Sequence, residues 1–118
     1  PYPSYNASLT EIHHLQKLDA PSGTAITLAE QIVTANPTFK KWMLKGEASD
    51  QDLSIEALRE KEVPGTHIIN YNSDIDSISI KHTAHSREGF ALGAVLAAEY
   101  LITKTGVCTM QDVLNLNE

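Results

Sequence analysis

Cysteine is nearly absent. The one cysteine, Cys108, cannot close an internal disulfide, so nothing points to an oxidising compartment. Long apolar runs are missing as well. The longest, residues 94–102, is broken by Glu99 and falls short of the ~18 apolar residues that a membrane-spanning helix needs. No basic-then-apolar leader opens the chain, and its first residue is Pro1 rather than Met. A piece of a longer protein is therefore expected.

Basic residues are scarce. Nine Lys and Arg stand against fifteen Asp and Glu, a net charge of −6. The longest basic run is Lys40-Lys41, so no basic stripe suits a nucleic acid, and an anionic membrane surface is disfavoured. A small anionic substrate stays open, because a few local cations override the global field. Four motifs are also missing: G-x-S-x-G, H-E-x-x-H, G-x-G-x-x-G and the Walker A loop. Their absence removes the usual serine-hydrolase, zinc-protease and dinucleotide or nucleotide cradles.

What remains is ordinary globular material. At 118 residues the chain is one domain by length. About two-thirds of its surface would be buried on folding, enough for a core without staples.

Residues 1–8, with Pro1, Pro3, Ser4 and Asn6, read as an extended lead-in. Residues 9–15 read as a short strand. Ile26, Ala29, Ile32 and Val33 recur at helical spacing, predicting a helix over 22–35 that ends before Pro37. Residues 38–45 read as a second short helix, and 46–51 as the most mobile loop. Three strands follow, over 55–60, 66–71 and 77–83. In the last, Ile78, Ile80 and His82 share one face, which predicts His82 in the core or behind a site. Residues 87–103 form the strongest helix. Thr109 with Asp112 resembles a capping box opening a last short helix. This order predicts an α+β domain: a mixed, mostly antiparallel four-stranded sheet, with helices on one face and the other free for oligomerisation.

The chemistry is densest over residues 11–25. His13 and His14 can exchange protons near neutrality, and Lys17 adds a fixed cation. Ser22-Gly23-Thr24 then opens a helix, whose first amides lack internal partners and whose dipole is positive there, a seat for an anion. The plain alternative is that Asp19 or Ser22 only caps the helix, and that the histidines are ordinary surface or satisfied ones. Glu11, His13, His14, His67, His82 and His85 could supply metal ligands, but on a strand His13 and His14 point to opposite faces. No metal-ligand spacing joins the six. Arg87, at the start of the long helix, is electrostatically out of place. It is either a tolerated exposed cation or a group that meets an anion.

These residues resemble a family. His13-His14-x-x-Lys17-x-Asp19-Ala20-Pro21-Ser22-Gly23-Thr24-Ala25 is similar to the signature of dihydrodipicolinate reductases. Pro64-Gly65-Thr66, the stretch Ile80-x-His82-x-Ala84-x-Ser86-Arg87-x-x-Phe90-Ala91-x-Gly93-Ala94 and residues 106–116 extend the resemblance over nearly all of the chain from Glu11 onward. It implies one substrate-binding and tetramerisation domain over 1–118. The family's N-terminal Rossmann domain, with its NAD(P)H, would lie outside this chain. Residues from about 88 onward would pack on that missing domain, and no cofactor would be bound by this part alone.

The resemblance also implies roles. His13 would be the proton donor and acceptor, and Lys17 a second proton donor or stabilising cation. His14, Gly23 and Thr24 would hold a cyclic dicarboxylate, with Ser22 adjacent and Arg87 a further contact. Leu15 and Gln16 stand where the family often has another basic residue. The implied activity is the NAD(P)H-dependent reduction of 4-hydroxy-tetrahydrodipicolinate in lysine and diaminopimelate biosynthesis, in a cytoplasmic homotetramer. The isolated domain would be inactive. The rival reading is an oligomeric interaction module that does no chemistry.

Overall fold

The computed structural model describes residues 5–117. Contacts divide the chain into two compact units, one up to His85 and one from Ser86 onward.

The first unit holds a five-stranded sheet and one helix. In chain order the elements are β1 (Asn6–His13), α1 (Gly23–Ala35), β2 (Lys41–Leu44), β3 (Asp52–Arg59), β4 (Gly65–Asn72) and β5 (Ser77–Ala84), and the sheet runs β2-β3-β1-β4-β5. β1 and β2 both pair with β3 in parallel, while β4 pairs antiparallel with β1 and β5. The sheet is therefore mixed, as expected. It has one more strand than the expected four, and it is evenly divided rather than mostly antiparallel.

The extra strand is β2, which replaces the helix expected over 38–45. The apolar spacing of Phe39, Trp42 and Met43 suits either element, and short apolar runs do not separate the two. Pairing decides it. Trp42 and Leu44 lie opposite Leu53 and Ile55, while Phe39 is buried in the core and Trp42 packs against it. A parallel pair usually needs a long crossover, but β2 has only four residues, about 13 Å of strand. The short 45–51 connection can return over that distance. It is pinned by Asp52, whose Oδ2 accepts from the Ser49 amide at 3.0 Å and from the Ser49 hydroxyl at 3.1 Å.

Period-two alternation in β1 places Ala7, Leu9, Glu11 and His13 on the buried face. The predicted lead-in therefore gives way to strand from Asn6, while residues 1–4 lie outside the described residues. α1 lays Ala25, Ala29 and Ile32 over β1, β2 and β3, and Leu9, Leu53 and Ile55 complete the core. Alanines at the helix contacts let the backbone approach the sheet closely. α1 begins one residue after the predicted start because Ser22 is its cap, and it ends at Ala35, before Pro37.

β5 lies at the sheet edge, on the far side of β4 from β1. Ile78 and Ile80 are 50% and 59% exposed. His82, expected in the core with them, is exposed too. The pattern correctly put the three on one face, but α1 covers the opposite half of the sheet.

The second unit contains α2 (Glu88–Leu101) and α3 (Met110–Val113). α3 opens on the predicted capping box: the Asp112 amide donates to the Thr109 hydroxyl, and the Thr109 amide donates to the Asp112 carboxylate. No residue of α2 is fully buried. Among the described residues no helix is long and apolar enough to cross a membrane.

Candidate active site

β1 carries a carboxylate in the middle of its apolar face. Glu11 is completely buried, directly after Leu9 on that face, where an isolated charge would cost several kcal/mol. Its compensation comes from a neighbouring strand and from the end of its own. In the parallel ladder Arg59 of β3 stands opposite His13, and its Nη1 donates to Glu11 Oε1 at 2.8 Å. The second carboxylate oxygen, Oε2, is hydrogen-bonded to His13 Nδ1.

Arg59 does more than neutralise Glu11. Its Nη2 donates to the carbonyl of Asp19 at 2.6 Å, and its Nε donates to the carbonyl of Lys17 at 3.4 Å. One guanidinium thus ties the 14–19 loop to the end of the strand that carries His13. Within the loop the Lys17 ammonium lies 3.0 Å from Asp19 Oδ1. The hydrogen bond from Lys17 holds the Asp19 carboxyl below its ordinary range.

His67 enters from β4, opposite Glu11 in the antiparallel ladder. Its ring meets that of His13 edge to face, with centroids 5.2 Å apart. Burial, followed by the neighbouring His13, pushes the His67 pKa down, and the Glu11 charge only partly opposes them. Gly65, also on β4, has its missing side chain aimed at His13. A Cβ there would lie 3.2 Å from His13 Nε2. Glycine at 65 leaves the imidazole the space that a side chain would take.

Ser22 links the cluster to α1. It is 2% exposed, and its hydroxyl accepts from the Ala25 amide at 3.2 Å while lying 3.3 Å from His67 Nε2. Capping is therefore realised here. The amides of Gly23 and Thr24 stand at the open end of the helix, and nothing lies within 4 Å of where a Gly23 side chain would begin. Both residues are exposed. These are the geometric requirements of an anion seat at a helix N-terminus.

The fold thus gathers His13, Lys17, Ser22, Gly23 and Thr24 around the end of β1 and the start of α1. His14 follows immediately after β1, and its Nδ1 is buried with no hydrogen-bond partner among the described residues. Arg87 falls in the second unit, at the N-cap of α2, with its guanidinium 5.8 Å from the Phe90 ring.

Sequence reading assigns no site role to Arg59 and offers Glu11 and His67 only as metal ligands. For Glu11 a signal existed: an acidic residue at a period-two position continuous with Ala7 and Leu9. Nothing local marks Arg59 or His67, because strand pairing brings them in. Of the six candidate metal ligands, Glu11, His13 and His67 do converge, with ligand atoms within 4.8 Å of one another. Arg59 already holds Glu11 Oε1 and places a fixed positive charge beside the group. That opposes a second cation at the same carboxylate.

Comparison with known proteins gives a consistent picture. Residues 2–114 match the family described as "Dihydrodipicolinate reductase, C-terminus". The 4-hydroxy-tetrahydrodipicolinate reductase of Christiangramia forsetii is 60% identical over 111 residues, covering 94% of this chain and 46% of that protein. That of Methanocaldococcus jannaschii is 37% identical over 121 residues, covering 97% of this chain and 44% of that protein. A solved structure described as a dipicolinate-bound dihydrodipicolinate reductase from Paenisporosarcina sp. TG-14 superposes with a TM-score of 0.64 at 27% identity. The match covers 82% of this chain and 40% of that one. The chain spans a little under half the length of the relatives it matches.

Proposed function

The chain belongs to the dihydrodipicolinate reductase C-terminal family, and from that premise we propose that it is the substrate-binding and proton-handling domain of a 4-hydroxy-tetrahydrodipicolinate reductase. One observation carries the reading. A histidine anchored in a buried charge network stands beside a helix N-terminus whose first amides are open.

The ligand is a cyclic dicarboxylate. Gly23 and Thr24 receive one carboxylate through their amides and the Thr24 hydroxyl, and His14 contacts the ring. Ser22 shapes the seat by capping, since its own hydroxyl is engaged. Lys17 supplies positive charge at the reacting centre, and Arg87 is assigned to the cleft of the full enzyme. His13 exchanges the proton that completes the reduction.

NAD(P)H supplies the hydride when bound. The residues present do not fit a dinucleotide. The connection from β1 into α1 carries one glycine, Gly23, and a buried Pro21 in place of a glycine-rich turn. The cofactor is therefore assigned to the part of the enzyme outside these 118 residues, along with the nucleotide-binding domain, and the chain alone is expected not to turn over. A cytoplasmic homo-oligomer completes the proposal. The support for self-association is the half-exposed Ile78 and Ile80 on β5 and the 91% exposed Ile75 before it.

The test is a calorimetric titration of the chain with pyridine-2,6-dicarboxylate, a planar mimic of the ring, beside Thr24→Ala. The expected result is binding that Thr24→Ala weakens tenfold or more, about 1.4 kcal/mol. Binding that ignores Thr24→Ala would refute the carboxylate seat.

A further inference from the structure

Glu11 is used by none of the steps above, yet it is the most deeply buried charged group in the first unit. Its position is costly, and its two oxygens are divided between two partners. Arg59 donates to Oε1, and His13 Nδ1 meets Oε2. A carboxylate paired with a guanidinium is an acceptor only, so the hydrogen between Oε2 and Nδ1 belongs to the histidine. A neutral imidazole has one N–H. If that hydrogen sits on Nδ1, then Nε2 carries the lone pair.

The other side of the ring agrees. Among the described residues no group hydrogen-bonds Nε2, and the strand that passes it does so at Gly65, where a Cβ would press on that atom at 3.2 Å. One nitrogen is held by a charge, and the other has no hydrogen-bond partner among the described residues and lies beside a residue without a side chain.

We infer that Glu11, held by Arg59, is a positioning residue that fixes His13 as the Nδ1–H tautomer and leaves Nε2 as the atom that gives and takes the proton. When His13 is protonated, both nitrogens carry hydrogen. Nε2 then releases its proton to the substrate carbon, and the Nδ1–H stays on Glu11. Without Glu11 a neutral imidazole favours hydrogen on Nε2, which can accept nothing there. Arg59 serves the same end twice. It compensates Glu11, and by holding the carbonyls of Lys17 and Asp19 it fixes the loop that bears Lys17. The inference rests on the proton-handling role proposed for His13, but its test does not.

The tautomer is read directly by long-range ¹H–¹⁵N correlation of the imidazoles in the ¹⁵N-labelled 118-residue chain, at a pH where His13 is neutral. His13 is assigned by the signals lost in His13→Gln. The expected wild-type pattern is a protonated Nδ1 and an unprotonated Nε2. In Glu11→Leu the pattern should invert, with Nε2–H the major form. A wild-type His13 protonated on Nε2 overturns the inference, as does an unchanged pattern in Glu11→Leu. The wild-type spectrum decides alone should Glu11→Leu not fold. Dipicolinate binding in a chain whose His13 carries the Nε2–H would leave the functional reading standing and remove this one. The Nδ1–H tautomer in a chain that binds no dipicolinate would do the reverse.

Discussion

The Ser22 hydroxyl lies 3.3 Å from His67 Nε2 while it accepts the Ala25 amide at 3.2 Å. The start of the helix and the first half of β4 are thereby joined through one oxygen. That bond sets where the open amides of Gly23 and Thr24 sit relative to the histidines, and it makes the cap part of the site.

Ser22→Ala removes both contacts. The expected loss is about 1 kcal/mol for the cap, with α1 frayed at its first turn. Urea unfolding followed at Trp42, which packs on the core, measures it. An unchanged midpoint would mean that the cap holds nothing.

The pH dependence follows from His67. Burial and the facing His13 lower its pKa in the fold below the ordinary 6.5. The unfolded chain then binds more protons, so stability rises with pH across this range. The contribution is fully present above the unfolded value and is lost as pH falls through the lowered folded value. His67→Gln is expected to flatten the fall in urea midpoint below about pH 6.5. An identical slope in both proteins would assign it to other groups.

Arg59→Met strands the Glu11 charge. Breaking one partner of a buried pair costs about 3 kcal/mol or more, whereas replacing both partners by apolar groups is often near neutral. Urea denaturation should therefore show a large loss for Arg59→Met and substantial recovery in Glu11→Leu/Arg59→Met. Losses that simply add would refute the coupling.

Gly65→Ala puts a methyl against His13 Nε2. The ring must yield by a few tenths of an ångström, and overpacking of this kind costs about 1–3 kcal/mol. On the roles proposed for His13 and for the start of α1, a full-length enzyme carrying it should lose kcat more than it gains in KM, because the histidine is displaced while Gly23 and Thr24 are untouched. Steady-state kinetics separates the two.

Much of this was readable from the chain. α1 was legible because its apolar residues recur at helical spacing between a serine cap and Pro37, and α3 because Thr109 and Asp112 are three apart. β5 was legible from its alternation, and β3 and β4 as strand-forming runs bounded by turns. β2 was not, because four residues with a single aromatic, Trp42, fit two periods equally well. His82 shows a different failure. Its face was read correctly, but which half of a sheet a helix covers is not a local property.

The sequence by itself determined the ingredients of the candidate site that lie close along the chain: His13, His14, Lys17 and the Ser22-Gly23-Thr24 opening of α1. Capping, helix polarity and strand alternation act over a few residues, so spacing alone expresses them. Only the tertiary structure decided which charges those residues meet. Glu11 and Arg59 lie 48 positions apart, and parallel pairing of β1 with β3 makes them partners. Antiparallel pairing of β1 with β4 brings His67 and Gly65 to His13. Register is a cooperative property of the whole sheet, set by burying one face of every strand together.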